Sequence, residues 1–247
     1  MSDEPGSLPY DAPAGDVTLR SYEAGADAYL QQSPPPGARV RAYLDQFADL
    51  VGAGTVLEFG SGPGWDAAYL ESRGLRVVRT DAVNAFVDLL LAAGHPARLL
   101  DVRVDDFGGP YDAVMANAVL LHLSREQFVD VLGRVRCAVA HHGVLAFTVK
   151  DGDGERWSRA KLGLPRHFTY GREPELRSAL EANGWQVLSL EHVTGRVEPW
   201  LFVVARADEK PRRVRPVTDR EPGSPMICPP ALKPGGRRAS AGPSWSS

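Results

Sequence analysis

A glycine-rich loop with a carboxylate on either side is the clearest chemical signal in the sequence. Gly60, Gly62 and Gly64 follow an apolar run, and a segment with a helical pattern comes next. Because glycine lacks a side chain, such a loop turns tightly and lets a ligand approach its backbone. Glu58 stands two residues before the first glycine, and Asp81 ends the next apolar run. A carboxylate in the position of Asp81 can accept hydrogen bonds from both hydroxyls of a ribose, so the pattern predicts a ligand that contains a nucleoside.

The spacing of the glycines separates two kinds of ligand. A dinucleotide site usually has the spacing GxGxxG, but here the third glycine comes one residue early and Trp65 stands in the expected glycine position. Glu58 would also repel a pyrophosphate, whereas it suits a ligand that carries an ammonium group. S-adenosylmethionine joins adenosine to an amino acid and contains no phosphate. The spacing therefore favours S-adenosylmethionine, and an NAD-dependent oxidoreductase is the less favoured alternative.

The elements around this loop alternate between strands and helices. Periodicity, caps and turn residues predict helices over residues 38–51, 66–72, 84–93, 125–140 and 173–183, and strands over residues 55–59, 75–80, 97–101, 111–116, 143–149, 185–191 and 200–205. Such alternation implies right-handed crossovers and a mostly parallel, doubly wound α/β sheet with helices on both faces. The last two strands are separated by only a short loop, so we expect them to pair antiparallel.

Four segments in this order resemble the motifs of class I S-adenosylmethionine-dependent methyltransferases of the small-molecule type. VLEFGSGPG, at residues 56–64, resembles the first motif, and VVRTDA, at residues 77–82, resembles the second. LLDV, at residues 99–102, resembles the third, and residues 111–123 resemble the fourth strand with its following loop. The likeness extends over residues 20–206. It implies a Rossmann-like sheet of seven strands with an antiparallel C-terminal hairpin, and S-adenosylmethionine as the cofactor.

The resemblance also implies roles for particular residues. Asp81 would bind the ribose, Asp101 the adenine amino group, the backbone after it the adenine ring, and the loop that contains Asn117 would face the methionine portion. Tyr22 lies in a segment that resembles a helical lid. The expected cofactor-binding residues are Tyr22, Glu58, Gly60, Gly62, Gly64, Asp81, Ala82, Asp101, Val102 and Asn117. Structural alternatives stay open, since Asp81 could cap a helix, Asp101 could be an ordinary turn residue, and Tyr22 and Tyr29 could belong to the core.

Two histidines are the candidates for a general base, which is needed only if the acceptor must lose a proton. His122 follows the loop that the resemblance places against the cofactor, although a structural or cofactor-lining role is the alternative. His167 lies in the long segment before the helix at residues 173–183, together with the predicted substrate-binding residues Trp157, Arg166 and Tyr170. The alternative for this segment is a structural loop that packs its aromatic residues on the sheet. His141 and His142 are expected at the surface, before a strand.

Motifs that the sequence lacks narrow the possible chemical class of the methyl acceptor. The Asn-Pro-Pro-aromatic or Asp-Pro-Pro-aromatic sequence of relatives that methylate nucleic-acid amino groups does not follow the fourth strand, and neither do the paired glutamates of protein arginine methylators. Metal-dependent catechol methylators carry an Asp where Ala116 and Asn117 stand here. We therefore expect metal-independent methylation of a small molecule. A non-catalytic S-adenosylmethionine-binding regulatory protein is the alternative from another class.

The composition indicates one domain with loose ends. The chain has 247 residues and a net charge of −3, which gives no indication of a nucleic-acid or membrane partner. We expect a flexible segment at 1–16, a methyltransferase domain with a helical lid at 17–206, and a disordered Pro/Arg/Ser-rich tail at 207–247. The N-terminus lacks a signal-peptide pattern, and Cys137 and Cys228 do not suggest a disulfide framework, so a cytoplasmic location is expected. We also expect a monomer or a homodimer.

Overall fold

The computed structural model describes residues 12–195 and 197–208, so most of the predicted tail lies outside the described residues. The helices are α1 (Ala14–Ala24), α2 (Ala26–Gln31), α3 (Ala38–Val51), α4 (Trp65–Ser72), α5 (Asn84–Ala92), α6 (Arg125–Ala138) and α7 (Glu173–Ala182). The strands are β1 (Thr55–Glu58), β2 (Arg76–Asp81), β3 (Ala97–Leu99), β4 (Tyr111–Ala116), β5 (Val139–Lys150), β6 (Glu155–Ser158), β7 (Arg166–Thr169), β8 (Trp185–Thr194) and β9 (Pro199–Ala207). A 3₁₀ turn, Leu120–His122, precedes α6.

Seven strands form one sheet in the order β3-β2-β1-β4-β5-β9-β8. The first five strands in this order are parallel, and β9 runs antiparallel to both β5 and β8. The predicted doubly wound sheet with an antiparallel closing hairpin is therefore confirmed. Because the parallel strands all end at the same edge, the loops after β1, β2, β3 and β4 meet there.

Successive side chains of the central strands point to opposite faces, and each face has its own core. Leu57 and Val114 pack with α6 and α7 on one face. Val56, Ala113 and Met115 pack with α3 on the other face. Helices on both faces are therefore confirmed. At the start of α6, the Ser124 hydroxyl accepts the backbone N–H of Gln127, and the backbone N–H of Ser124 donates to the side-chain oxygen of Gln127, which together form a capping box.

The first two helices, α1 and α2, cover the edge where the parallel strands end. Val83 and Phe86 contact the lid residues Ala26, Tyr22 and Tyr29 in a small apolar cluster. Polar contacts add to this packing: the Glu23 carboxylate accepts the backbone N–H groups of Asn84 and Ala85 at the start of α5. Ser21 donates to the carbonyl of Pro165, and Thr18 accepts the backbone N–H of His167. The predicted lid thus rests on α5 and β7.

Several sequence-based boundaries differ from the structure, and one hairpin was not predicted. Strand β5 begins directly after α6, so His141 and His142 lie within it rather than before it; both are exposed, as expected. The register with β4 is irregular there, since Tyr111 pairs with Val139 and Ala113 pairs with Val144. Strand β3 stops at Leu99, two residues earlier than predicted. The hairpin of β6 and β7 lies in the segment predicted as a loop, because its polar residues give no apolar alternation.

The structure also bears on the expectations for the cysteines, the domain boundaries and the membrane. Cys137 is disulfide-bonded, so the expectation drawn from the cysteine spacing is wrong at this residue, while Cys228 lies outside the described residues. The domain boundaries and the cytoplasmic location stay predictions, and α1 begins at Ala14. In the part of the chain that the structure describes, no helix has the length and apolar character needed to cross a membrane.

Candidate functional site

A cavity with about 760 Å³ of empty space, part of it open to solvent, lies between the lid and the ends of the parallel strands. It brings together nine of the residues predicted from sequence: Tyr22, Gly60, Gly62, Asp81, Ala82, Asp101, Val102, Asn117 and His122. Six predicted residues do not line it: Glu58, Gly64, Trp157, Arg166, His167 and Tyr170. The cavity therefore unites the loops after β1, β2, β3 and β4 with α1 and α2.

The glycine loop needs its glycines for two different reasons. Gly60 and Gly62 line the cavity with φ angles of 62° and 48°, a region that other residues adopt at a cost. A Cβ on Gly60 would lie 2.5 Å from Cγ2 of Val119. Gly64 is the N-cap of α4, and a Cβ there would lie 2.7 Å from Cδ2 of Leu90. Gly60 and Gly62 thus keep the cavity open, whereas Gly64 lets α4 pack on α5.

Asp81 holds the glycine loop in place. Its buried carboxylate accepts the backbone N–H of Gly62 at 2.8 Å and that of Val83 at 3.0 Å. Burial raises the pKa of Asp81 to about 6, although these backbone hydrogen bonds oppose the shift. Because each carboxylate oxygen can accept more than one hydrogen bond, Asp81 can also accept from a ligand in the cavity.

Glu58 lies behind the loop rather than in the cavity wall. It is 3% exposed, and the Ser61 hydroxyl donates a short hydrogen bond to its carboxylate. Burial raises the pKa of Glu58 to about 8, and the neighbouring carboxylates of Asp66 and Asp81 act in the same direction. A cation bound in front of the loop would favour the ionised form of this group.

Asp101 is held by an arginine that the sequence reasoning missed. Arg103 donates to both oxygens of Asp101, and its other nitrogen lies 2.7 Å from the carboxylate of Asp16 in α1. Burial acts to raise the pKa of Asp101, but the hydrogen bonds from Arg103 outweigh it and lower the pKa. Asp101, Val102 and Arg103 all line the cavity. The only sequence feature that could have indicated this ion pair is the position of Arg103, two residues after Asp101.

Asn117 is fixed by hydrogen bonds on both sides of its amide. It donates to the Asp66 carboxylate at 2.7 Å and accepts the hydroxyl of Thr148 at 2.7 Å. Thr148 in turn accepts the backbone N–H of Ala118, which has a φ of 57°. Burial raises the pKa of Asp66. The loop after β4 is therefore tied to both α4 and β5.

His122 takes part in a chain of three side chains. Its Nδ1 lies 2.7 Å from the carbonyl oxygen of His167, which can only accept, so Nδ1 carries the hydrogen. Nε2 then accepts the hydroxyl of Tyr22 at 3.0 Å, and Arg166 donates to the same hydroxyl oxygen at 3.1 Å. Burial lowers the pKa of His122 to about 3 and raises that of Tyr22 to about 12. Both groups are therefore neutral, and both nitrogens of His122 are engaged.

The remaining predicted residues lie around β7. The His167 side chain points away from the cavity, towards Glu155 at 3.1 Å and the ring of Trp157, and only its backbone supports the site. Arg166 is buried behind Tyr22. Tyr170 lines a second, apolar cavity between α6 and α7, and its hydroxyl bonds to Glu198. Trp157 is not among the residues that line either of these two cavities.

The sheet order defines a Rossmann-like fold, and the cavity lies at the carboxyl edge of its parallel strands. A family model described as a methyltransferase domain matches residues 30–190. This match covers more than half of the chain, and the chain belongs to the methyltransferase family. The sequence matches none of the curated proteins with which it was compared.

Solved structures of methyltransferases share the fold. The 1,6-didemethyltoxoflavin-N1-methyltransferase of Burkholderia thailandensis, solved with its substrate and S-adenosylhomocysteine, has 23% identity and a TM-score of 0.63 over 83% of this chain and 94% of that one. The magnesium protoporphyrin IX methyltransferase of Synechocystis, with bound S-adenosylmethionine, has 15% identity and a TM-score of 0.63 over 81% and 100%. The CcbJ methyltransferase of Streptomyces caelestis has 18% identity and a TM-score of 0.60 over 81% and 100%. Because the sequence identities are this low, the similarity establishes only that these proteins share the fold of the present chain.

Proposed function

We propose that this methyltransferase transfers the methyl group of S-adenosylmethionine to a small-molecule acceptor, without a metal ion. The observation that supports it most strongly is the cavity, in which a bare glycine loop backed by the buried carboxyl group of Glu58 meets Asp81 and Asp101. Two of the structural neighbours are methyltransferases of 1,6-didemethyltoxoflavin and of magnesium protoporphyrin IX, both small molecules.

The residues around the cavity fit this cofactor. Asp81 would hold the ribose, Asp101 and Val102 the adenine, and Gly60 and Gly62 would let the backbone approach closely. A Cβ at Gly60 would fill this space and meet Val119, so the cradle depends on a missing side chain. The partly buried Asp66 and the buried Glu58, whose ionised form a bound cation would favour, supply negative potential behind the loop, which suits a ligand with a sulfonium and an ammonium group.

When bound, the cofactor supplies a methyl group that is already activated for displacement. The protein therefore needs mainly to orient the reactants and exclude water. Such positioning can lower the activation barrier by roughly 7–11 kcal/mol. The lid helices cover the cavity, and Glu23, Tyr22 and Thr18 tie them to α5, His122 and β7. The hydrogen bonds of Asn117 hold the loop after β4 in one position.

His122 acts on Tyr22 in this proposal rather than on the acceptor. Its Nε2 accepts the Tyr22 hydroxyl and its Nδ1 is bonded to a carbonyl, so neither nitrogen is available while these bonds persist. The low pKa of His122 also makes it a weak base. We therefore assign His122 and Tyr22 to the positioning of the lid.

Turnover with a labelled methyl group tests the proposal. The full chain is incubated with a metabolite extract and S-adenosylmethionine that carries a trideuterated methyl group, and products are followed by mass spectrometry. We expect a labelled small molecule that is missing with heat-denatured protein. Binding of S-adenosylhomocysteine without any labelled product would favour the regulatory alternative, and binding of NAD instead would favour the oxidoreductase.

A further inference from the structure

Arg166 carries a buried positive charge that no carboxylate of the described residues compensates through an ion pair. The residue is 6% exposed, and it donates one hydrogen bond to the Tyr22 hydroxyl. Its Nε is buried and has no hydrogen-bond partner among the residues described. Nor does any ion pair within 4.0 Å join Arg166 to an Asp or Glu of residues 12–195 or 197–208. Buried arginines are normally paired, because an isolated buried charge costs several kcal/mol.

A second cation lies near the first. The ammonium group of Lys161 stands 3.7 Å from the centroid of the Tyr29 ring and donates to the Ser33 hydroxyl at 2.7 Å. Burial lowers the pKa of Lys161 to about 8, and the charge of Arg166 acts in the same direction. Lys161 also forms no ion pair with a carboxylate in the described part of the chain. The two cations therefore repel each other in a partly desolvated space.

Lys150 provides a comparison within the same region. It is 9% exposed and packs on the Phe168 ring, as Arg166 does, but it forms an ion pair with Glu198. Its charge is therefore compensated inside the protein. The fold balances one buried cation of this region and leaves Arg166 and Lys161 unbalanced, which indicates that an external anion balances them.

The two unbalanced cations stand next to the cavity. Arg166 contacts Tyr22 and Lys161 contacts Tyr29, and these two rings, with centroids 5.4 Å apart, both line the cavity. Tyr29 also lies 3.8 Å from the position of a Cβ on Gly62, in the loop on the opposite side. The cavity is thus polarised: carboxylates lie behind the glycine loop, and cations lie behind the tyrosines.

We infer that the methyl acceptor carries an anionic group, a carboxylate or a phosphate, whose charge Arg166 and Lys161 balance from behind Tyr22 and Tyr29. This inference rests on the proposed function. The carboxylate of the cofactor has the same chemistry, but it could neutralise only one of the two charges. Two positive charges on one side of a cavity attract the negative charge of a carboxylate or phosphate.

Calorimetric titrations of the full chain, saturated with S-adenosylhomocysteine, test the inference. The probes are benzoate, its uncharged counterpart benzamide, and inorganic phosphate. We expect benzoate or phosphate to bind at least 10-fold more tightly than benzamide. Arg166→Met should weaken anion binding at least 10-fold, and Lys161→Gln should weaken it about 5-fold. Arg159→Gln removes a charge from an exposed residue of the same segment and should change nothing.

Each contrary result has its own meaning. If S-adenosylhomocysteine does not bind the wild-type chain, the proposed function fails. If it binds but the anions bind no better than benzamide, only the inference is overturned. If both variants lose affinity for S-adenosylhomocysteine but keep it for 5′-methylthioadenosine, which lacks the amino-acid portion, the cations serve the cofactor carboxylate and the inference is again overturned. Lys161→Gln, at a half-buried position, keeps the test valid should Arg166→Met fail to fold.

Discussion

The two sides of the cavity are built in opposite ways. The glycine-loop wall consists of Gly60, Gly62 and Asp81, with Glu58 behind them. It is held by hydrogen bonds from backbone N–H groups to the Asp81 carboxylate, at the ends of neighbouring parallel strands. The lid wall consists of Tyr22, Tyr29 and His122, with Lys161 and Arg166 behind them. It is held by side chains that are up to 144 residues apart in sequence. The first wall is a product of the sheet and carries carboxylates. The second wall depends on tertiary contacts and carries cations, so it can change without altering the sheet.

Gly60→Ala should produce the largest effect and would show that the glycine-loop wall tolerates no side chain. The left-handed backbone and the contact with Val119 together should weaken the binding of S-adenosylhomocysteine by about 2–5 kcal/mol, measured by calorimetry. Gly94→Ala is the matched control, since Gly94 has a φ of 80° with open space around it. It should lower stability without affecting binding. Equal losses of affinity in both variants would contradict this role of Gly60.

Glu58→Gln should remove a pH dependence that belongs to the glycine-loop wall. The pKa of Glu58 rises from 4.5 to about 8 on folding, so the folded protein holds this proton more tightly than the unfolded chain does. The stability that comes from proton binding at Glu58 is therefore fully present below pH 4.5 and is lost as the pH rises through 8. The variant keeps an acceptor for Ser61 but cannot ionise. It should match the wild type near pH 4.5 and be more stable by a few kcal/mol above pH 8.

Urea unfolding at a series of pH values measures this difference. Glu181→Gln, at an exposed position of α7, is the control and should follow the wild-type profile. A Glu58→Gln profile parallel to the wild type across this range would show that Glu58 does not titrate as described.

Asp81→Ala should weaken the binding of S-adenosylhomocysteine by roughly 1.5–3 kcal/mol, the range for hydrogen bonds to a charged group. The variant also releases the backbone N–H of Gly62 and so loosens the glycine loop. The control is Asp88→Ala, because Asp88 is exposed on α5. A dissociation constant equal to that of the control, measured by calorimetry, would exclude the ribose role of Asp81.

Tyr22→Phe should have the smallest effect and should act on the lid wall. The substitution leaves Nε2 of His122 and one nitrogen of Arg166 without their partner, so the free energy of unfolding should fall by about 1–2 kcal/mol. Tyr69→Phe, which removes one hydrogen bond to Asp45 at the surface, should cost less than about 1 kcal/mol. Urea unfolding compares the two. A larger loss for Tyr69→Phe would show that the lid wall is not held by this network.

The contrast also explains which features could be predicted from sequence. Gly60, Gly62 and Asp81 belong to contiguous segments whose order and spacing are set by the strands, so they could be assigned to one site. The contact between Tyr22 and His122 spans 100 residues, and no local pattern indicates it. The side-chain directions of His167 and Arg166 depend on the β6–β7 hairpin, which has no apolar alternation. For this reason His167 was a plausible base in the sequence but faces away from the cavity in the structure.

The most direct test of the account is a structure determined with S-adenosylhomocysteine bound to the full chain. The account predicts that the adenosine lies over Gly60 and Gly62, with its ribose hydroxyls about 3 Å from the Asp81 carboxylate. It also predicts that the homocysteine portion extends towards Asn117 and Tyr22. A ligand bound outside this cavity, or a glycine loop that accepts only the diphosphate of NAD, would contradict it.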